Sequence, residues 1–113
     1  MQKCAVISTL KLFSAKWKPC ILSHLMQGSL RFSALRRRIP NVTKKMLSEH
    51  LAELEKDGLI DRNVHTKKPL KVVYSLTKKG QSMKHIFIEL ERWGLQHEIE
   101  AKPMQEMLLE NGS

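Results

Sequence analysis

Residues 31–58, RFSALRRRIPNVTKKMLSEHLAELEKDG, hold two short helical patterns separated by a turn. Ser33 caps or opens the first pattern, which contains Leu35 and Ile39. Arg36-Arg37-Arg38 runs into Ile39-Pro40, where a helix should stop, and Pro40-Asn41 is a turn signal. Thr43 is a good N-cap, because its hydroxyl can accept from an amide of the first helical turn. Leu47, Leu51 and Leu54 then define one apolar face that reaches about Asp57, before Gly58. With that stripe inward, a rotation of about 100° per residue turns Lys45, Ser48, Glu49, Ala52 and Lys56 outward, with Lys44 and Met46 on the flanks. The acids of this helix lie mostly late, and its bases early.

Downstream of Gly58 the period changes from helical to alternating. Residues 59–65 (LIDRNVH) and 71–76 (KVVYSL) predict two strands, with Val72, Tyr74 and Leu76 on one face. Thr66 to Leu70 joins them as a hairpin loop. Thr77 caps a further helix, in which Met83, Ile86, Phe87, Leu90, Trp93 and Gly94 recur at spacings of three and four. Pro103 breaks it, and Met104, Met107 and Leu108 suggest a short final helix. Upstream, Val6, Leu10, Phe13 and Trp17 share one helical face. Pro19 suits the start of the next helix, whose stripe Ile21, Leu22, Leu25 and Met26 ends at Gly28. The order is four helices, a hairpin and two helices. The expected fold is mainly α with a small β-hairpin, a winged helix-turn-helix over one domain, 1–113.

Length and charge narrow the function. The chain has 113 residues, 20 Lys+Arg against 11 Asp+Glu, and a formal net charge of +9. That allows one modest core and excludes a two-lobed enzyme with a cleft between domains. No apolar run reaches the roughly 20 residues of a membrane span. Lys11 interrupts the apolar start and no small-residue cleavage site follows, so a cytoplasmic chain is expected. Residues 1–48 hold ten bases and no acid, residues 59–80 hold six bases and one acid, and residues 81–113 hold three bases and six acids. Such a layout points to a polyanion for the basic regions. Solvated lysine without a partner and a basic membrane-surface helix are the alternatives.

On the helix-turn-helix frame, residues 32–39 support the second helix, and residues 43–57 present their first turns to a major groove. Lys44, Lys45, Ser48 and Glu49 then read bases or nearby phosphates, Arg31, Arg36 and Arg37 meet phosphate, and Lys67, Lys68 and Lys71 form wing contacts to double-stranded DNA. For Arg31 a structural cap to a carboxylate is an equal alternative. Val6, Leu10, Met83, Ile86, Phe87, Leu90 and Trp93 are the candidate interface residues: Ile86, Phe87, Leu90 and Trp93 are a lot of apolar area for one end of a small domain, and packing within one subunit is the alternative. A homodimer interface built by the N-terminal helix and residues 77–113 is expected. A different class, a winged-helix adaptor docking an acidic protein, is the competing reading. No enzyme is expected: there is no GxSxG, Walker loop or GxGxxG. No cofactor or metal is expected either, because His24, His50, His65, His85 and His97 lack ligand spacing and two cysteines form no cluster.

The chain resembles the HxlR-type winged-helix transcriptional regulators. The resemblance rests on Cys4, Lys16-Trp17, Ile21-Leu22-x-x-Leu25, Arg31-Phe32-x-x-Leu35 and Ile39. It continues through Lys45-Met46-Leu47, Leu51, Leu54-Glu55-x-Asp57-Gly58-Leu59-Ile60-x-Arg62 and Pro69. It ends with Val72-x-Tyr74-Ser75-Leu76-Thr77-x-x-Gly80 and Trp93-Gly94. It implies a dimeric DNA-binding repressor or activator that answers a small reactive molecule or stress. Cys4 matches a cysteine that several members use as a redox or electrophile sensor. Lys3 beside it would favour the thiolate, and a small packing residue is the alternative. Cys20 stands at an aliphatic family position and is expected to pack. One departure is Val73, where the family usually has Glu before the Tyr, so an ion pair is expected to be missing there.

Overall fold

A computed structural model describes residues 4–65 and 71–97. The elements are α1 (Ala5–Lys11), α2 (Lys18–Leu25), β1 (Leu30–Arg31), α3 (Phe32–Arg38), α4 (Lys44–Lys56), β2 (Ile60–His65), β3 (Lys71–Leu76), α5 (Lys78–Gln81) and α6 (Lys84–Gln96). The sheet is antiparallel in the order β1-β3-β2. This is a winged helix-turn-helix, as expected. One strand is additional: Leu30 and Arg31 pair with Tyr74 and Val73, making the hairpin a three-stranded wing.

The core is one cluster drawn from every layer. Ile21, Leu22 and Leu25 of α2 meet Leu35 of α3, Leu47, Leu51 and Leu54 of α4, and Tyr74 of β3. At roughly 25 cal/mol per Å² of apolar area, the three α4 leucines alone hold that helix by several kcal/mol. Both ends of α4 are fixed locally. The Met46 amide donates to the Thr43 hydroxyl, the predicted cap. At the other end Gly58 has φ +77°, and the Leu59 and Gly58 amides donate to the carbonyls of Leu54 and Glu55. That paired closure satisfies carbonyls the helix would otherwise orphan. Thr77 ties this corner to α5: its hydroxyl donates to the Gly58 carbonyl and accepts from the Gly80 amide.

Three expectations need correction. The stripe Val6, Leu10, Phe13 and Trp17 is not one helix, because α1 ends at Lys11. Phe13 and Trp17 pack on the core from the connection, and Phe13 meets Phe87 edge-on at a centroid distance of 5.2 Å. The helix expected from Thr77 onward is two, broken at Ser82 and Met83. Met83 and Phe87 are buried in the subunit's own core, so they are not free interface residues. The expected last helix with Met104, Met107 and Leu108, and the loop 66–70, lie outside the described residues.

Candidate nucleic-acid interface

The turn between α3 and α4 sets the site. Asn41 takes φ +71°, a left-handed conformation asparagine tolerates, while buried Val42 anchors the loop. The chain thus reverses in a few residues and brings the end of α3 beside the start of α4. Arg36, Arg37 and Lys44 line one cleft of about 410 Å³ with Phe32 and Ser33. No acid is in this lining, and the orphan amides at the N-terminus of α4 add positive potential near it. Lys45, Ser48 and Glu49 are exposed along the outer face of α4. The arrangement can hold phosphate in the cleft and offer polar tips to base edges from the next turn.

The other candidates are more dispersed. Arg31 is exposed on β1, and no ion pair to a carboxylate is seen for it among the described residues. Lys71 is exposed on β3 opposite His65, whereas Lys67 and Lys68 lie outside the described residues. Arg38, the third of the arginine run, turns away, half-buried and close enough to His24 to act on it electrostatically. Cys4 is exposed as the residue preceding α1, so it is not a core residue of one subunit, and Lys3 lies outside the described residues. Cys20 packs against the core, and burial pushes its thiol pKa up. Val6, Leu10, Leu90 and Trp93 are all more than half exposed, with Ile86 also exposed.

The burial of two titratable side chains escaped the sequence reading. Lys18 is only 4% exposed, and its Nζ lies 2.5 Å from Oε2 of Glu53 on α4. That hydrogen bond, then the Lys18 charge, holds the Glu53 carboxyl below the usual carboxylate range. A signal existed: Lys18 falls on the stripe of Ile21, Leu22 and Leu25, at i, i+3, i+4 and i+7. His24 is 1% exposed with no partner for Nδ1, and burial, then Arg38, lowers its pKa to about 4. Among the described residues no three His, Cys, Asp or Glu side chains gather as a metal site. Among them also, no helix is long and apolar enough to cross a membrane.

A tri-helical core, a three-stranded wing and a basic cleft at the head of an exposed helix define a winged helix-turn-helix regulator. The chain belongs to the HxlR-like helix-turn-helix family, whose model matches residues 12–102. It is 45% identical over 93 residues to the HTH-type transcriptional regulator YtcD of Bacillus subtilis (strain 168), covering 82% of this chain and 74% of YtcD. YodB of the same organism, also an HTH-type transcriptional regulator, is 37% identical over 86 residues, 76% of this chain and 77% of YodB. Among solved structures, the redox regulator HypR in its reduced form superposes with a TM-score of 0.80 at 37% identity. The match covers 84% of this chain and 94% of HypR.

Proposed function

We propose that this chain is a sequence-specific DNA-binding transcriptional regulator that grips a pseudo-palindromic operator as a homodimer. The convergence of Arg36, Arg37 and Lys44 on one acid-free cleft at the head of α4 carries the reading. Phosphate held there would seat the first turns of α4 in the major groove, with Lys45 and Ser48 toward the bases. Arg31 and Lys71 would add backbone contacts from the wing, with Lys67 and Lys68 at its tip. A second copy joined through Val6 and Leu10 of α1 and Ile86, Leu90 and Trp93 of α6 would set two α4 helices about 34 Å apart, one DNA turn.

The test is selection from a random duplex pool, with affinity measured against salt. Enrichment of an inverted repeat, with binding that weakens as salt rises, is the expected result. Equal binding to selected and scrambled duplex would overturn it in favour of an adaptor for an acidic partner.

The outcome expected in the cell is repression relieved by a reactive small molecule. Exposure of Cys4 supports a thiol-based response, as does the likeness to HypR, described as a redox regulator. Treatment with diamide should change operator affinity in the parent and not in Cys4→Ser. A shift that persists in the variant removes Cys4 as the sensor.

A further inference from the structure

We propose that Lys18 and Glu53 form a brace that sets the pose of α4 for base reading, making both positioning residues for operator recognition. The inference rests on the DNA-binding reading above. The pair joins α2, inside the subunit, to the late part of α4, nine residues beyond Lys44. Its location on α4 is specific. Glu53 shares a flank with Met46 and His50, at i, i+4 and i+7, and this flank lies between the buried leucine stripe and the outward face with Lys45 and Glu49. His50 is near enough to act on the Glu53 charge, and its Nδ1 is buried without a partner.

The brace supplies what the core cannot. Leu47, Leu51 and Leu54 hold α4 by burial, a term that is non-directional and names no single atom-to-atom contact. A charge-assisted hydrogen bond at 2.5 Å fixes one point of the helix surface. The buried ammonium cannot leave, because an unpaired charge inside the protein is costly. Pose matters steeply here. Side-chain tips lie roughly 6 Å from the helix axis, so a 20° rotation of α4 moves them by about 2 Å. Functional constellations tolerate displacements of only about 0.5 Å. Glu53 therefore stands in the proposed DNA-binding helix as an anchor, its half-exposed carboxylate held by the buried Lys18 ammonium.

The sign of one substitution separates this from simple electrostatics. Removing an acid from a helix beside phosphates should tighten DNA binding. Loss of the brace should weaken it. For Glu53→Gln the expected result is at least a tenfold loss of affinity for the selected operator. Affinity for scrambled duplex and the salt slope should stay unchanged, because no phosphate contact is removed. Lys18→Met, which leaves an apolar chain of similar length in the slot, should show the same loss, and the double variant no more than either single one. Operator affinity equal to or tighter than the parent's in folded Glu53→Gln would overturn the brace. So would an equal loss on operator and scrambled DNA. A readout without DNA keeps the two readings apart: backbone residual dipolar couplings report the orientation of α4 against α2. They should change in both single variants, and couplings that fit the parent orientation would also overturn the proposal. A parent that selects no sequence, with altered couplings in the variants, would instead reject the DNA-binding reading and leave the brace standing.

Discussion

Arg31 of β1 and Val73 of β3 are register partners in the wing sheet, with Asn63 of β2 on the other side of Val73. The missing acid noted in the sequence thus lies directly across from an arginine that carries no ion pair among the described residues. Val73 alternates with core-facing Tyr74, so its side chain is on the outer face of the sheet with Arg31. Val73→Glu should create a cross-strand pair worth about 0.2–1 kcal/mol, visible as a raised denaturation midpoint. If Arg31 contacts phosphate, the same variant should lose severalfold in DNA affinity, with a shallower salt dependence. Unaltered binding beside increased stability would remove Arg31 from the interface.

Lys45 and Arg37 are expected to fail differently. Lys45 faces outward in the first turn of α4, so if it meets base edges as proposed, Lys45→Ala should cost about 1–3 kcal/mol on the selected operator and flatten sequence preference. Arg37 lines the cleft proposed to hold phosphate. Arg37→Ala should weaken all duplexes alike and reduce the salt slope by about one. Melting curves should show both variants folded, because both side chains are exposed. Equal operator affinity of Lys45→Ala and the parent would take the base contact from Lys45.

The helix-turn-helix was readable because each of its signals is local. Thr43 caps, Pro40-Asn41 turns, Gly58 stops, and three leucines at helical spacing name the buried face. The wing strand β1 was not readable, because two residues carry no alternation and their pairing with Tyr74 and Val73 spans more than forty positions. Periodicity also overran real breaks. Phe13 and Trp17 continue the spacing of Val6 and Leu10 through a non-helical connection, since the core they meet does not require a continuous helix. Met83 stands at the break between α5 and α6 yet keeps the spacing of Phe87, which hides the interruption. Among the site residues, the exposed bases were legible from charge alone. Lys18 was not, because a lysine counted as surface charge conceals a buried ammonium until its partner three elements along the chain is in place.

Leu90 and Trp93 are each 58% exposed on α6, and Ile86 is exposed one turn before Leu90, whereas Met83 and Phe87 are buried. Leu90→Glu should leave the subunit fold intact, since nothing in its core is removed. In the proposed dimer it would place two carboxylates in an apolar contact, and sedimentation equilibrium should then find monomers. Operator affinity should fall steeply, as each half-site would bind alone, while affinity for an isolated half-site stays near the parent's. A variant that remains dimeric would move the interface elsewhere.

His24 gives the folded state an acid weakness whose direction follows from its lowered pKa, about 4 against an ordinary 6.5. Burial first, and the charge of Arg38 second, disfavour the protonated ring in the native protein. Above about pH 6.5 the ring is neutral in both states and the native state bears no penalty. As pH falls from 6.5 toward 4 the unfolded chain takes up a proton that the folded chain refuses, so stability drops across that window. Below about pH 4 both states are protonated and this contribution changes no further. The span corresponds to a loss of about 3 kcal/mol at roughly 1.36 kcal/mol per pH unit. His24→Leu removes both the titration and the unpartnered Nδ1, so urea midpoints for the variant should stay flatter between pH 6.5 and 4 while the parent's fall. Parallel decline in the two proteins would assign the acid sensitivity to other groups, with Glu53 the first to examine at the lower end, since its lowered pKa places its own loss at more acidic pH.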